Sequence, residues 1–217
     1  MRNKDFFDIP IIKEINAVED LENLKLPNPE SIQTWKEMKD RILVLDFDIS
    51  DLLMEYIRYI IQWNKEDKDI VNSNDRKPIY IYIHSYGGDV NIMTAFIDVI
   101  KLSKTPIRLV NLGQACSAAS LIFMAKTENT LRIMMPTARV LIHQGQTGLQ
   151  GQTNSVLDMA ENVKKSEEKI KKYILENTKI TSAMYSKKKR EEWSIDAETA
   201  LKLGVCDKII DSLDELY

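Results

Sequence analysis

The sequence predicts an α/β fold, on three observations. Short runs rich in β-branched and aromatic residues alternate with runs whose apolar residues recur at helical spacing. Only short polar or glycine-bearing turns separate them in the middle of the chain, which suits crossover connections between parallel strands. One helical run, from Ser117 to Lys126, is apolar almost all round and therefore belongs inside.

Residues 1 to 38 carry prolines and charges with weak periodicity and read as an N-terminal arm with at most a short helix; residues 39–217 read as one domain. Arg41 to Phe47 is a buried-strand candidate, and Ser50 and Asp51 look like a cap for a helix over 52–63. The polar stretch from Asn64 to Lys77 reads as a solvated loop. Ile79 to His84 is a strand, ended by Tyr86-Gly87-Gly88-Asp89, and Val90 to Ser103 is a helix. Strands follow at 107–112, 130–135 and 138–143. Residues 153–176 form the longest helix, with Val156, Ala160, Val163, Ile170 and Ile174 at helical spacing around a polar middle. Its two ends should pack, and its middle should face water or another subunit. Charged residues 186–192 read as a loop, Asp196 caps a short helix ending at Gly204, and 205–210 is a last strand.

Bulk properties narrow the function classes. At 217 residues the chain can bury one sizeable core. A net charge of −3 offers no basic face for nucleic acid and no polybasic anchor for a membrane. The opening residues lack the apolar stretch of a signal peptide, and no apolar run reaches membrane-spanning length. Cys116 and Cys206 are far apart and lack metal-ligand spacing, so neither a metal nor a disulfide is expected, and a reducing cytoplasm fits. Gly87-Gly88 is not a dinucleotide fingerprint, because no third glycine follows at the required spacing, and no cofactor is expected.

The chemistry concentrates in two segments. Asn111 to Ser120 is a small-residue run that sets Ser117 at a helix N-terminus, where unpaired backbone N–H groups favour developing negative charge. A serine there is either a nucleophile awaiting a base or a plain capping residue. Ser120 competes for the role but falls inside the apolar helix, and Cys116 reads as packing. Val140 to Gln144 puts His143 at a strand end, as a general base or as a structural histidine. The glycine pair allows close backbone approach to a ligand, or is an ordinary turn. A third group must orient the imidazole, and candidate carboxylates lie in Arg190 to Asp196. Their plainer reading is loop charge or, for Asp196, a helix cap.

Taken in order, these segments resemble the Clp protease proteolytic subunits (ClpP), serine peptidases within the crotonase-like superfamily. Tyr80-Ile-Tyr-Ile-His-Ser-Tyr-Gly-Gly-Asp resembles the family strand leading to its Gly-Gly turn. Gly113-Gln-Ala-Cys-Ser-Ala-Ala-Ser resembles the nucleophile segment, and Ala138-Arg-Val-Leu-Ile-His-Gln the base segment. The resemblance implies a ClpP/crotonase-like fold, with stacked sheets flanked by helices and a projecting handle helix. It implies Ser117, His143 and Glu192 as catalytic triad, with Glu191 as fallback for the acid, and N–H groups of Gly88 and Ala118 as oxyanion hole. It further implies stacked heptameric rings, polypeptide substrates, an AAA+ unfoldase partner docking at Tyr80 and Tyr82, and a substrate-binding strand near Gly148. Both tyrosines fit sheet packing equally well. Tyr86, His84 and Ala119 depart from the family's proline, asparagine and glycine, which marks a divergent, phage-like or paralogous member. The rival functions are a non-catalytic ring subunit beside an active paralogue, and an acyl-CoA hydratase or isomerase on the same superfamily fold. A membrane-bound Ser-Lys peptidase is disfavoured by the missing membrane segment.

Overall fold

A computed structural model describes residues 28–145, 148–188 and 190–216. The chain divides into two units, Met1–Lys36 and Glu37–Tyr217. The first enters the description at Asn28, whose side chain accepts a hydrogen bond from the Ser31 N–H at the start of helix α1 (Pro29–Lys39). The rest of the expected arm lies outside the described residues.

In the second unit, alternation of side chains decides what each strand faces. Strand β1 (Ile42–Leu45) pairs in parallel with β2 (Ile79–Ser85), and β2 with β3 (Ile107–Cys116). Ile79, Ile81 and Ile83 are fully buried against α2 (Leu53–Glu66) and α3 (Val90–Leu102), which bury Leu53, Ile57, Ile60 and Trp63 and Met93, Phe96, Ile97 and Ile100 respectively. Tyr80 and Tyr82 point to the other face, onto a small cluster of Val110, Ile133, Ile210 and Leu216.

The sheet forks at β3. Its first half, residues 107–111, pairs with β4 (Thr130–Met134), which continues to β7 (Lys208–Ile209). Its second half, 114–116, pairs instead with β5 (Arg139–Ile142), and β5 pairs antiparallel with β6 (Trp193–Asp196). The expected stacked sheets thus take the form of one branched sheet. Fully buried Asn111 pins the fork: its amide donates to the Arg139 carbonyl at 2.9 Å and its side-chain oxygen accepts from the Gly113 N–H at 3.1 Å. Helix α4 (Ala118–Phe123) follows β3 and is buried at every residue, as its all-round apolarity requires.

Several expectations need correction. Helix α2 begins after Leu52, with no side-chain cap; the Ser50 and Asp51 carbonyls accept from Leu53 and Met54 in a backbone turn instead. The stretch after α2 is largely exposed, as expected of a solvated loop, but two of its charged residues, Asp67 and Arg76, are buried. Asp67, 4% exposed, accepts a bidentate pair from Arg41 at 2.6 and 2.9 Å and a hydrogen bond from Thr105 at 2.8 Å. Arg76, also buried, donates twice to the Ile70 carbonyl and closes the loop on itself. The long helix α5 (Thr153–Asn177) packs at its C-terminal end only, burying Ile174 and Asn177; its N-terminal end has no buried residue. Residues 182–188 are helix α6 rather than loop, residues 193–196 form β6, and the described residues 148–152 near the expected substrate strand contain no strand. Asp196 does cap α7 (Ala197–Lys202), accepting from the Thr199 N–H at 2.7 Å.

The far end of the sheet is held by a second buried ion pair. Arg132, with no exposed surface, donates to both oxygens of Asp207 at 2.9 and 2.7 Å and to the Asn177 carbonyl at 2.9 Å. It thereby ties β4 to the segment before β7 and to the end of α5. No helix among the described residues is long and apolar enough to cross a membrane.

The Asp67 pair has a pH signature. Burial pushes its carboxyl up, but hydrogen bonds from Arg41 and Thr105 and the charges of Arg41 and Arg76 outweigh that and hold its pKa below the ordinary 3.8. The pair therefore stabilises the fold fully above the unfolded-state value and loses its contribution as pH falls through the folded-state value. Asp67→Asn is expected to lower unfolding free energy at neutral pH by about 3 kcal/mol, because buried Arg41 loses its bidentate partner and keeps only the Lys77 carbonyl and a longer ion pair with Glu66 at 3.6 Å. Urea denaturation of both proteins from pH 7 to pH 3 checks this; the gap should narrow toward the acid end.

Candidate active site

Ser117 joins β3 to α4 with φ 54° and ψ −125°, a conformation that costs a residue with a Cβ about 1–3 kcal/mol. Neighbouring groups hold it there. Its N–H donates to the Leu141 carbonyl of β5 at 2.9 Å, and its carbonyl accepts from the Ser120 N–H at 2.9 Å and the Ser120 hydroxyl at 2.6 Å. Ser120 is 1% exposed, so it serves as a brace rather than a rival nucleophile. Ser117 is half-buried, and its hydroxyl makes no capping bond, so the plain capping alternative is not realised. The Cys116 thiol is buried and free; burial pushes its pKa up, Arg139 opposes this and Glu192 adds to it, which keeps it protonated.

The glycine turn lies directly against this elbow. A Cβ on Gly87, at φ +106°, would sit 2.7 Å from the Cys116 carbonyl oxygen, 2.7 Å from Ser117 Cβ and 3.0 Å from the Ala118 nitrogen. A Cβ on Gly88, at φ +145°, would instead meet the Ile49 backbone, 2.8 Å from its nitrogen. The Gly87 N–H is engaged by the Ser85 hydroxyl at 3.2 Å, and Ile49 donates to the Gly87 carbonyl at 2.7 Å. Among the described residues the N–H groups of Gly88 and Ala118 donate no hydrogen bond. His84 is exposed beside the turn, its Nδ1 lying where a side chain on Gly113 would come within 2.9 Å.

His143 follows β5 immediately and is half-buried. The antiparallel register pairs Ile142 with Trp193, so one step beyond that pair stand His143 on one strand and Glu192 on the other. Glu192 is exposed, and its charge adds to the upward shift of the Cys116 thiol. Glu191 is engaged elsewhere: its carboxylate accepts from Lys188 at 2.7 Å, and that bond lowers its pKa. Among the described residues no hydrogen bond joins the side chains of Ser117, His143 and Glu192 to one another.

Ser117, Ala118 and His143 line one cavity of about 60 Å³, walled by Leu121 and Ile142 and closed by α5 and α6. The cavity also takes in Glu167 of α5 and Tyr185 of α6, which the motifs around Ser117 and His143 do not indicate. The signal for Glu167 was its helical spacing from Ile170 and Ile174, which puts all three on one face. On the opposite sheet face, the Tyr80 and Tyr82 rings lie 6.3 Å apart, and Tyr80 borders a cleft of about 370 Å³ with Arg108, Leu131 and Leu216.

The Clp protease family matches residues 36–213 of this chain. The chain is 28% identical over 188 residues to ATP-dependent Clp protease proteolytic subunit 2 of Treponema pallidum, covering 86% of this chain and 90% of that protein. It is 29% identical over 178 residues to the ATP-dependent Clp protease proteolytic subunit of Streptococcus mutans, covering 81% and 87%. The corresponding subunit 2 of Treponema denticola is 34% identical over 133 residues, covering 61% and 66%. The family match runs from before β1 to beyond β7 and takes in the Ser117 elbow, the glycine turn and His143; the chain belongs to the Clp protease family.

Proposed function

We propose that the chain is a serine endopeptidase of unfolded polypeptides, with residues 39–217 as the peptidase domain and residues 1–38 as an arm. Ser117 attacks the peptide carbonyl while His143 takes its proton and passes it to the leaving amine. Glu192 holds the imidazole in the required tautomer, and water then releases the acyl group. N–H groups of Gly88 and Ala118 receive the oxyanion. The observation that carries this reading is the strained Ser117 elbow, which shares one cavity with His143 and lies against a glycine turn. The β5–β6 register supports Glu192 as the acid, and the free N–H groups of Gly88 and Ala118 support their role.

Assembly into stacked heptameric rings is part of the same proposal. Leu157 and Met159 stay 63% and 43% exposed on the unburied end of α5, as a helix covered by a second subunit would leave them. Tyr80 and Tyr82, on the face away from α2 and α3, are proposed to receive an AAA+ unfoldase loop in the cytoplasm. A second reading, a ring subunit without activity beside an active paralogue, has one observation in its favour: the unlinked side chains of Ser117, His143 and Glu192.

Labelling separates the two. A fluorophosphonate should modify Ser117 and nothing else, with the adduct mapped by mass spectrometry. Ser117→Ala and His143→Ala should each lower peptide cleavage by a factor on the order of 10⁶. Glu192→Gln should lower it by about 10⁴ through the wrong tautomer. An intact ring, sized by sedimentation, that resists the reagent would favour the inactive subunit. Gly87→Ala should cost about 1–3 kcal/mol of unfolding free energy through backbone strain, and should slow labelling because its Cβ displaces the elbow. Calorimetry and labelling rates measure both.

A further inference from the structure

The cavity beside Ser117 has an uneven lining. Apart from Ser117, Ser120, His143 and Gln144, its lining is largely apolar, with Val90, Leu121, Ile142, Ile170 and Ile174. At its α5 side stands one carboxylate, Glu167, and no lysine or arginine is among the described lining residues. Glu167 shares a helix face with Ile170 and Ile174, three and seven residues on, so its presence there follows from helix geometry. It forms no ion pair among the described residues, unlike Glu161 and Glu176 on the same helix, which take Lys165 and Lys172 at i,i+4. The Tyr185 hydroxyl lies close enough for the Glu167 charge to add to burial in raising its pKa.

A peptide residue whose carbonyl is attacked by Ser117 carries its side chain on the adjacent carbon. With Ser117 itself in the cavity lining, that side chain is taken as the group that enters it. The apolar lining suits a hydrocarbon stem, and the exposed Glu167 carboxylate suits a positive head left in water, since about 60 Å³ is too little to enclose a whole lysine or arginine side chain. We propose that Glu167 sets the specificity of the site, selecting a lysine or arginine on the acyl side of the scissile bond. The inference rests on the peptidase reading above. The selection is electrostatic and partly solvated, since Glu167 is exposed, so it weakens as ionic strength rises.

The test uses peptidyl phosphonates that differ only in the side chain next to phosphorus: arginine-like, norleucine-like or glutamate-like. A simple fluorophosphonate with no such side chain is the reference. Each is reacted with the full chain, with Glu167→Gln and with Glu167→Lys, after sedimentation shows the same assembly state. In the unaltered protein the arginine-like reagent should label Ser117 about tenfold faster than the norleucine-like one at low salt. That ratio should fall to near one in Glu167→Gln, and the glutamate-like reagent should become the fastest in Glu167→Lys. A merely structural role for Glu167 would not invert the preference. Labelling by the fluorophosphonate with the same phosphonate ratios in all three proteins, or with the norleucine-like reagent fastest in the unaltered one, overturns the specificity assignment alone. No labelling by the fluorophosphonate in the unaltered protein overturns the peptidase reading and the assignment together.

Discussion

A backbone conformation that Ser117 would not adopt unaided organises this molecule. At φ 54° the residue turns β3 sharply into α4 and lifts its hydroxyl out of the helix it would otherwise cap. Four hydrogen bonds hold it, one to β5, two from Ser120 and a longer one from the Leu121 N–H. The buried small residues Ala115, Ala118 and Ala119 leave the space in which the turn closes. The strain is local; its support comes from the sheet and from the helix, so the elbow can form only once both are in place.

The fork in the sheet gives the elbow its direction. If β3 kept one partner along its length, β5 would have no place beside Cys116, and His143 would not end next to Ser117. Asn111 makes the change of partner possible because its side chain replaces ladder bonds at the break, donating to β5 and accepting from Gly113. A buried asparagine with both ends satisfied costs little, whereas an apolar residue there would leave the Arg139 carbonyl and Gly113 N–H without those partners. From β5 the register passes to β6, whose first residue, Trp193, follows the proposed acid Glu192.

How much of this was legible in the sequence depended on whether a pattern names its partner. Period-two runs such as Ile79 to Ile83 and the all-apolar α4 declared themselves, because their side chains already encode burial on known faces. Asp67 and Arg76 did not, since a charged residue in sequence looks the same whether solvated or matched with a buried Arg41. The valines at the start of α5 have helical spacing, but spacing reports a face and not what covers it; within one chain that face stays largely open. Strand β6 is four residues with one buried, too short to stand out among the surrounding charges. In the site, Ser117 and His143 were readable from their settings at an element start and an element end. The proposed preference for Glu192 over Glu191 draws on the β5–β6 pairing and on the Glu191–Lys188 bond, neither of which a sequence displays. Glu167 needed the tertiary approach of α5 to the elbow.

The Arg132 pairing bears on how the chain comes into being during synthesis. Its carboxylate partner lies 75 residues downstream, beyond the whole of α5. A nascent polypeptide that has emerged only through β4 therefore carries a guanidinium destined for the interior with no counter-ion yet translated, and sealing that edge early would strand an isolated cation in a low-dielectric environment. The segment around Asp207 thus acts as a latch: this edge of the sheet matures only after that segment has been made, and a product truncated before Asp207 should be left to the cell's quality-control machinery.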